Sequence, residues 1–121
     1  KGREMLKLQP LIKTNILDTT QMLLEIFENR NKHSKADLAQ SAHMYIAKGL
    51  ACLAIEKAQE NQIKTIGFSG GVACNEILAL SMRKIVETGG LKFLVHKTIP
   101  PGDGGLSFGQ TVVGGFFNFT P

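Results

Sequence analysis

Two glycine-rich segments carry the residues of this chain whose types and spacing suit chemistry on a phosphate. The segment Ser69–Asn75 reads SGGVACN, and the segment Pro101–Gly105 reads PGDGG. Glycine has no Cβ atom, so the backbone can turn sharply there and a ligand can approach it closely. Backbone amides at the start of a helix that follows such a loop carry partial positive charge, which suits a phosphate. Both segments are therefore candidate nucleotide-binding loops.

Two side chains in these loops have more than one interpretation. Asn75 would lie in the first turn of a helix, where its amide can donate to and accept from a ribose or phosphate oxygen. Asp103 is either a helix cap or turn residue, or an oxygen ligand of a divalent metal. No second acid and no His-x-x-x-His stands nearby, so further metal ligands would come from outside this chain. A glycine pair can also mark only a tight turn, and the residues alone leave these alternatives open.

Structural roles are favoured for the histidines and cysteines. His43 lies on or beside the apolar face of a predicted helix, which favours a hydrogen-bonded core histidine over a ligand. His33 and His96 are expected to be exposed, in a loop and at a strand end. Cys74 is predicted to be a small packed residue under its loop, and Cys52 to lie in the core. The two cysteines form no Cys-x-x-Cys motif of a metal or redox site.

Short β-rich runs and helical patterns alternate around the two loops. Strands are predicted at Ile63–Phe68 and Leu91–His96, and each ends at one of the loops. A helix from about Cys74 to Thr88 separates them, and a last helix runs from Leu106 to about Phe117. This order predicts two parallel strands joined by a right-handed crossover. Both loops then lie at the carboxyl edge, where open parallel sheets bind ligands.

The amino-terminal part is predicted to cover a sheet rather than to form one. The stretch from Lys1 to Asn15 is interpreted as a connection, and Asp18 as the N-cap of a first helix. A second helix is predicted from Ser34 to about Asn61. Two strands cannot make a stable open sheet, so the chain is expected to be one piece of a larger α/β enzyme whose other strands lie upstream. The predicted apolar faces are Leu23, Ile26 and Phe27 on the first helix, and Ala39, Ala42, Ile46, Leu50 and Leu53 on the second.

The overall composition is that of a soluble globular protein, with 43% hydrophobic and 20% charged residues. No apolar run approaches the roughly 18 residues needed to cross a bilayer, so no membrane partner is expected. The net charge of +4 is scattered and has no stacking aromatic residues beside it, which argues against nucleic acid as a partner. Without a secretion signal, a reducing cytoplasm is the expected setting.

The two loops in their wider context resemble the HypF family, the carbamoyltransferases that mature nickel–iron hydrogenases. Residues 67–75 read GFSGGVACN, and residues 100–110 read PPGDGGLSFGQ. Residues 39–43, AQSAH, stand where the family carries a short helical motif ending in His. The pair Ala73-Cys74 leans towards the related tRNA threonylcarbamoyltransferases of the Kae1/TsaD type. Those proteins carry Asp-Asn rather than Asp-Gly-Gly at the second loop, so the second loop favours HypF.

The resemblance, which covers about Leu38 to Gly115, implies a fold and an activity. The fold would be α/β, the carboxyl-terminal fragment of an actin-like ATPase (ribonuclease H-like) domain, with two parallel strands and covering helices. Residues 1–33 would be the connecting segment and first helix, and residues 34–121 the carboxyl-terminal part of a Kae1-like nucleotide-binding domain. Family members take carbamoyl phosphate and ATP to carbamoyl-adenylate and carbamoylate the C-terminal cysteine of their partner, HypE. A separate acylphosphatase-like domain is assigned the hydrolysis of carbamoyl phosphate.

The resemblance also implies roles for residues of this chain, although no catalytic residue among them. Asp103 would ligate a divalent metal, zinc or iron, together with two histidines of an upstream His-x-x-x-His that this chain lacks. Alone, this fragment is expected to be inactive. The alternatives are a tRNA-modifying domain of the Kae1/TsaD type and a non-catalytic fragment that packs against a partner. The residues that would contact the nucleotide are Ser69, Gly70, Gly71, Asn75 and Gly104.

Overall fold

A parallel pair of strands holds the two loops side by side in the computed structural model, which describes residues 2–117. The strands β3 (Thr65–Phe68) and β4 (Lys92–Val95) pair residue for residue along their length. Helix α3 (Glu76–Thr88) connects them, and α4 (Asp103–Phe117) follows β4. The predicted α/β arrangement, with parallel strands and covering helices, is confirmed.

Helix α2 (Lys35–Glu60) is the longest element and begins as predicted. The Ser34 hydroxyl oxygen accepts a hydrogen bond from the Asp37 backbone N–H at 3.2 Å, which satisfies one of the amide donors of the first turn. The backbone N–H of Arg3 and the Ser34 hydroxyl donate to the Asp37 carboxylate and hold the pKa of that carboxyl below its ordinary value. None of the helices within residues 2–117 has the length and apolar character needed to span a bilayer.

The predicted apolar stripe of α2 is wrong in part. Ala39 and Leu50 are exposed, and so is Cys52, which was predicted to lie in the core. A single stripe fails because α2 is covered on two sides, by the amino-terminal segment and by α3 with β3. The residues of α2 that are buried are Leu38, Ser41, Tyr45, Ala47, Gly49, Ala51 and Ala58.

A β-hairpin occupies part of the segment that was interpreted as a connection. Its strands β1 (Leu11–Lys13) and β2 (Ile16–Asp18) pair antiparallel. The two turn residues, Thr14 and Asn15, have φ angles of 49° and 64°. Two left-handed residues match the twist of a tight hairpin, but the Asn-Gly or Asp-Gly sequence that usually marks such a turn is missing. The prediction of a connection is therefore wrong for these residues.

Buried polar side chains of α2 hold the amino-terminal segment in place. The Tyr45 hydroxyl accepts from Leu11 N at 3.0 Å and donates to the Asp18 carbonyl at 2.5 Å, so it clamps both hairpin strands. The Ser41 hydroxyl oxygen accepts from the backbone N–H groups of Met5 and Leu6, each at 3.1 Å. These bonds satisfy backbone donors and an acceptor that would otherwise lose their partners.

Helix α1 (Thr20–Glu28) begins one residue later than predicted. Its N-cap is Thr19, and Asp18 is the last residue of β2. The Asp18 carboxylate nevertheless accepts from the Thr20 backbone N–H at 2.9 Å, which lowers the pKa of that carboxyl. The predicted apolar face does not form a core in this chain, since Leu23 and Phe27 are more than half exposed.

The core that positions the loops lies between α2, α3 and β4. Small residues of α2, Ala47 and Ala51, allow α3 to approach closely. On α3, the predicted inward residues Leu78 and Met82 are buried, while Ile77 and Ile85 are half-buried. The buried residues of this cluster are Ala47, Ala51, Leu78, Met82, Val86 and Phe93.

Removing a buried side chain of α3 should weaken this core. We expect Met82→Ala to lower the free energy of unfolding by about 2–5 kcal/mol, because Met82 is 4% exposed and its loss leaves a cavity. The control Leu80→Ala alters a residue of the same helix that is 57% exposed, and should change stability by less than about 0.5 kcal/mol. Urea unfolding of the two variants checks this. Equal losses would contradict the assigned core.

Candidate nucleotide site

The two glycine-rich loops meet at the carboxyl edge of the β3–β4 pair, as predicted. Ser69 follows β3 directly, and the segment after β4 brings Pro101 back across the strand ends. The Gly70 backbone N–H donates a hydrogen bond to the Pro101 carbonyl oxygen at 2.9 Å. One backbone hydrogen bond therefore joins the first loop to the second.

The first loop turns through a backbone conformation that only glycine adopts readily. Gly70 has φ 95° and ψ 171°, a region closed to residues with a Cβ atom. A turn of 3₁₀-helix follows at Gly71–Cys74, so α3 begins at Glu76 instead of near Cys74 as predicted. Because Cys74 lies on that turn, its side chain is exposed, and the prediction that it is packed under the loop is wrong.

Asn75 ends the first loop as the N-cap of α3. Its Oδ1 atom accepts from the Leu78 backbone N–H at 3.2 Å, and its Nδ2 atom lies 3.1 Å from His43 Nε2. One lone pair of the carbonyl oxygen and one amide hydrogen of this side chain are therefore already used. The second amide hydrogen and the second lone pair of Oδ1 are what Asn75 can offer to a ligand.

The second loop leads directly into α4, which begins at Asp103 and not at Leu106 as predicted. The Gly102 carbonyl oxygen accepts from Gly105 N at 2.9 Å and from Leu106 N at 3.3 Å, and so closes the first helical turn. Gly105 has to be glycine, because a Cβ atom there would overlap the Pro100 carbonyl oxygen.

Asp103 is the first helical residue of α4, and its side chain is exposed. No hydrogen bond to its carboxylate is formed within residues 2–117, so it does not act as a side-chain cap. The carboxylate is thus sterically available to a cation. Across the described residues, no group of three or more His, Cys, Asp or Glu side chains is placed to hold a metal. The described residues therefore do not form a complete metal site around Asp103.

An open pocket of about 580 Å³ lies between the two loops and α4. Of the predicted nucleotide contacts, Ser69 and Gly70 line it. The other predicted contacts, Gly71, Asn75 and Gly104, and the predicted metal ligand Asp103 are not among the described residues that line it. The wall is mostly apolar, and its other lining residues are His96, Ile99, Pro100, Pro101, Gly102, Gly105, Leu106, Phe108, Gly109, Val112 and Val113.

A second groove of about 580 Å³ runs between α2 and α3, and none of the described residues that line it belongs to the glycine loops. Met44, Lys48, Ser81 and Lys84 are among the residues that line it. Equal volume does not distinguish the two grooves. Of these two grooves, the pocket between the loops is the one with glycine-rich backbone, the start of a helix and the strand ends in its described wall, features that bind nucleotides in parallel α/β sheets.

His96 is a site residue that the sequence analysis missed. Its Nε2 atom lies 2.8 Å from the Ser69 hydroxyl oxygen, at the mouth of the pocket. The two residues follow Phe68 and Val95, which are paired across the strands, so they are the next pair in register. The predicted strand pairing itself could have found this contact, because residues that follow paired positions of parallel strands are neighbours.

Comparison with known proteins decides between the two resemblances. The family model described as "Carbamoyltransferase, Kae1-like Domain, second subdomain" (HypF) matches residues 2–110. The chain belongs to the HypF family of carbamoyltransferases. The family assignment favours HypF over the tRNA-modifying relatives, and the matched subdomain agrees with the Kae1-like fold expected.

This chain spans only a small part of the length of the HypF proteins that it matches. The probable carbamoyltransferase HypF of Methanocaldococcus jannaschii is 39% identical over 88% of this chain, which spans 14% of that protein. A HypF homologue of Cupriavidus necator is 30% identical over 81% of the chain and 26% of its own length. The crystal structure of T. kodakarensis HypF superposes with a TM-score of 0.80 at 36% identity, over 98% of this chain and 16% of that one.

The conformation of Gly70 can be tested by a matched pair of substitutions. We expect Gly70→Ala to destabilise the chain by about 1–3 kcal/mol, because alanine is strained at φ 95°. Gly71→Ala introduces a Cβ atom that meets nothing within 4 Å and should change stability by less than about 0.5 kcal/mol. Denaturant unfolding measures both. Equal stability of the two variants would refute the assigned loop conformation.

Proposed function

We propose that this chain supplies the carboxyl-terminal part of the nucleotide site of a HypF-type carbamoyltransferase. The whole enzyme would use carbamoyl phosphate and ATP to form carbamoyl-adenylate in the cytoplasm. It would then carbamoylate the C-terminal cysteine of a HypE-type partner, the step towards the cyanide ligand of nickel–iron hydrogenase. The observation that carries the proposal is the Gly70–Pro101 hydrogen bond, which makes one composite edge from two glycine-rich loops.

The described geometry supports separate tasks for the parts of this edge. Helix α4, of 15 residues, begins directly after the second loop, and the amides of its first turn, at the positive end of the helix dipole, would bind phosphate oxygens. The Ser69 hydroxyl lies at the same mouth, with His96 as its hydrogen-bond partner. Apolar side chains such as Leu106 and Phe108 would pack against the base or ribose.

The position of Asp103 supports the proposal that the nucleotide site also binds a cation. Its carboxylate is carried by the first residue of α4, where the phosphate would bind, and like charges at this distance repel. A divalent metal bound to the carboxylate would reverse that repulsion and would neutralise phosphate charge as a Lewis acid. Zinc or iron fits the proposal, with the remaining ligands supplied from outside residues 2–117.

Within this proposal the transfer step is a displacement at the carbamoyl carbon. The partner's thiolate sulfur attacks that carbon, and a new C–S bond forms. The bond from the carbon to the AMP phosphate oxygen breaks, and AMP leaves with the electron pair. This chain would hold the AMP phosphate in place while its negative charge develops, which is how preorganised amides and cations lower such barriers.

The role of Asp103 can be tested in the full-length enzyme. We expect Asp103→Asn to lower carbamoyl transfer to the partner cysteine by at least about 100-fold, since even indirect partners of a metal contribute about 10–100-fold. Bound metal should fall with it, because asparagine keeps the size but loses the anionic oxygen. Carbamoyl-phosphate hydrolysis should persist, since it is assigned to a separate domain. Transfer assays and metal analysis on the same purified protein measure these effects.

Glu76→Gln provides the matched control, because Glu76 is an exposed acid in the first turn of the neighbouring helix α3. This variant should keep both metal and transfer activity. Normal metal content and normal transfer in Asp103→Asn would end the metal-ligand assignment. A full-length wild-type enzyme that binds no ATP at all would instead favour the non-catalytic packing role for this chain.

A further inference from the structure

We infer that His43 is a positioning residue of the candidate nucleotide site, which fixes the end of the Ser69–Asn75 loop through the Asn75 side-chain amide. Its Nε2 atom lies 3.1 Å from Asn75 Nδ2, although the two residues are 32 positions apart in sequence. The contact does not depend on the proposed function. Its effect on nucleotide binding does rest on that function.

The orientation of the Asn75 amide follows from its other hydrogen bond. The backbone N–H of Leu78 points at one end of the amide at 3.2 Å and requires an acceptor there, so that end is Oδ1. The NH₂ group consequently faces His43. An NH₂ group can only donate, so His43 Nε2 has to be the lone-pair nitrogen of a neutral imidazole, and the ring proton lies on Nδ1.

His43 Nδ1 is buried and has no hydrogen-bond partner among residues 2–117. A buried N–H group without a partner costs free energy, and such groups are rare in folded proteins. The other neutral tautomer would place an N–H group against the Asn75 NH₂ group, and one donor would then face another. The unpaired Nδ1 is thus the consequence of supplying Asn75 with an acceptor.

The packing of α2 against α3 brings the pair together. His43, Ala47 and Ala51 recur every four residues on α2, so they share one face of that helix. The two alanines lie in the core with Leu78 and Met82 of α3. His43 lies one turn before Ala47 on α2, and Asn75 lies at the start of α3, three residues before Leu78. The packing of α2 against α3 therefore also places His43 against Asn75.

The first loop is consequently anchored at both of its ends. At its start, Gly70 N–H is bonded to the Pro101 carbonyl, and at its end Asn75 is bonded to His43. The backbone between these anchors contains Gly71 and the 3₁₀ turn. Without His43 as acceptor, the Asn75 amide can rotate away from Leu78, and the first turn of α3 loses its cap.

Three substitutions of His43 separate an acceptor role from mere packing. His43→Gln places an acceptor oxygen close to the Nε2 position, whereas the shorter side chain in His43→Asn reaches only the Nδ1 position. His43→Leu fills space without an acceptor. In the nucleotide-free full-length protein, hydrogen exchange in peptides covering residues 70–80 should rise about fivefold or more for His43→Leu and His43→Asn. For His43→Gln, exchange should stay within about twofold of the wild type.

The second measurement is the dissociation constant of a non-hydrolysable ATP analogue for the same full-length proteins. We expect His43→Leu and His43→Asn to bind it about tenfold more weakly, and His43→Gln to restore most of the affinity. His33→Leu, in the connection between α1 and α2, is the control that should match the wild type in both measurements.

Each measurement can contradict a different part of the inference. Unchanged exchange in His43→Leu, or a His43→Gln variant that behaves like His43→Leu, overturns the acceptor role. Raised exchange with unchanged affinity overturns the positioning of the nucleotide site. A wild-type protein that binds no analogue contradicts the proposed function, and the exchange measurement then still decides whether His43 anchors the loop.

Discussion

The candidate site depends on the hydrogen bond from the Gly70 backbone N–H to the Pro101 carbonyl. This bond is possible only because β3 and β4 are parallel and end at the same register position, Phe68 opposite Val95. A slip of one residue would turn the side chains of one strand to the opposite face of the sheet and separate Ser69 from His96. The register of four residue pairs thus determines whether two distant glycine-rich segments form one site.

The helices fix the same edge from the other side. Alanines on α2 let α3 approach closely, and the resulting contact sets the position of Asn75 at the start of α3. The site is therefore supported by buried apolar packing and by two hydrogen bonds at the ends of one loop. This arrangement suits a site that has to hold a nucleotide in a fixed geometry while a group is transferred from it.

The elements with strong local signals could be predicted from the sequence. Glycine-bounded β-rich runs gave the two parallel strands, and Ser34 marked the start of α2. The hairpin was missed because Thr14-Asn15 is an unusual pair for a turn that needs two left-handed residues. The burial of α2 was predicted for one side only, whereas the amino-terminal segment and α3 cover two sides of it.

Contacts between side chains that are far apart in sequence could not be predicted from local sequence patterns. His43 and Asn75 were each interpreted on their own helix, and nothing in the spacing of 32 residues indicates that they meet. His96 was set aside as an exposed residue, although its partner Ser69 was a predicted contact. The metal role of Asp103 came from the family resemblance, and it stays a proposal because a single exposed carboxylate does not make a metal site.

The most direct test of the composite site is a structure of the full-length protein with a non-hydrolysable ATP analogue bound. The account predicts that the phosphates lie between the Ser69–Asn75 loop and the first turn of α4, within hydrogen-bond distance of backbone amides from both. A bound analogue that contacts only one of the two loops, or neither of them, would contradict the composite site.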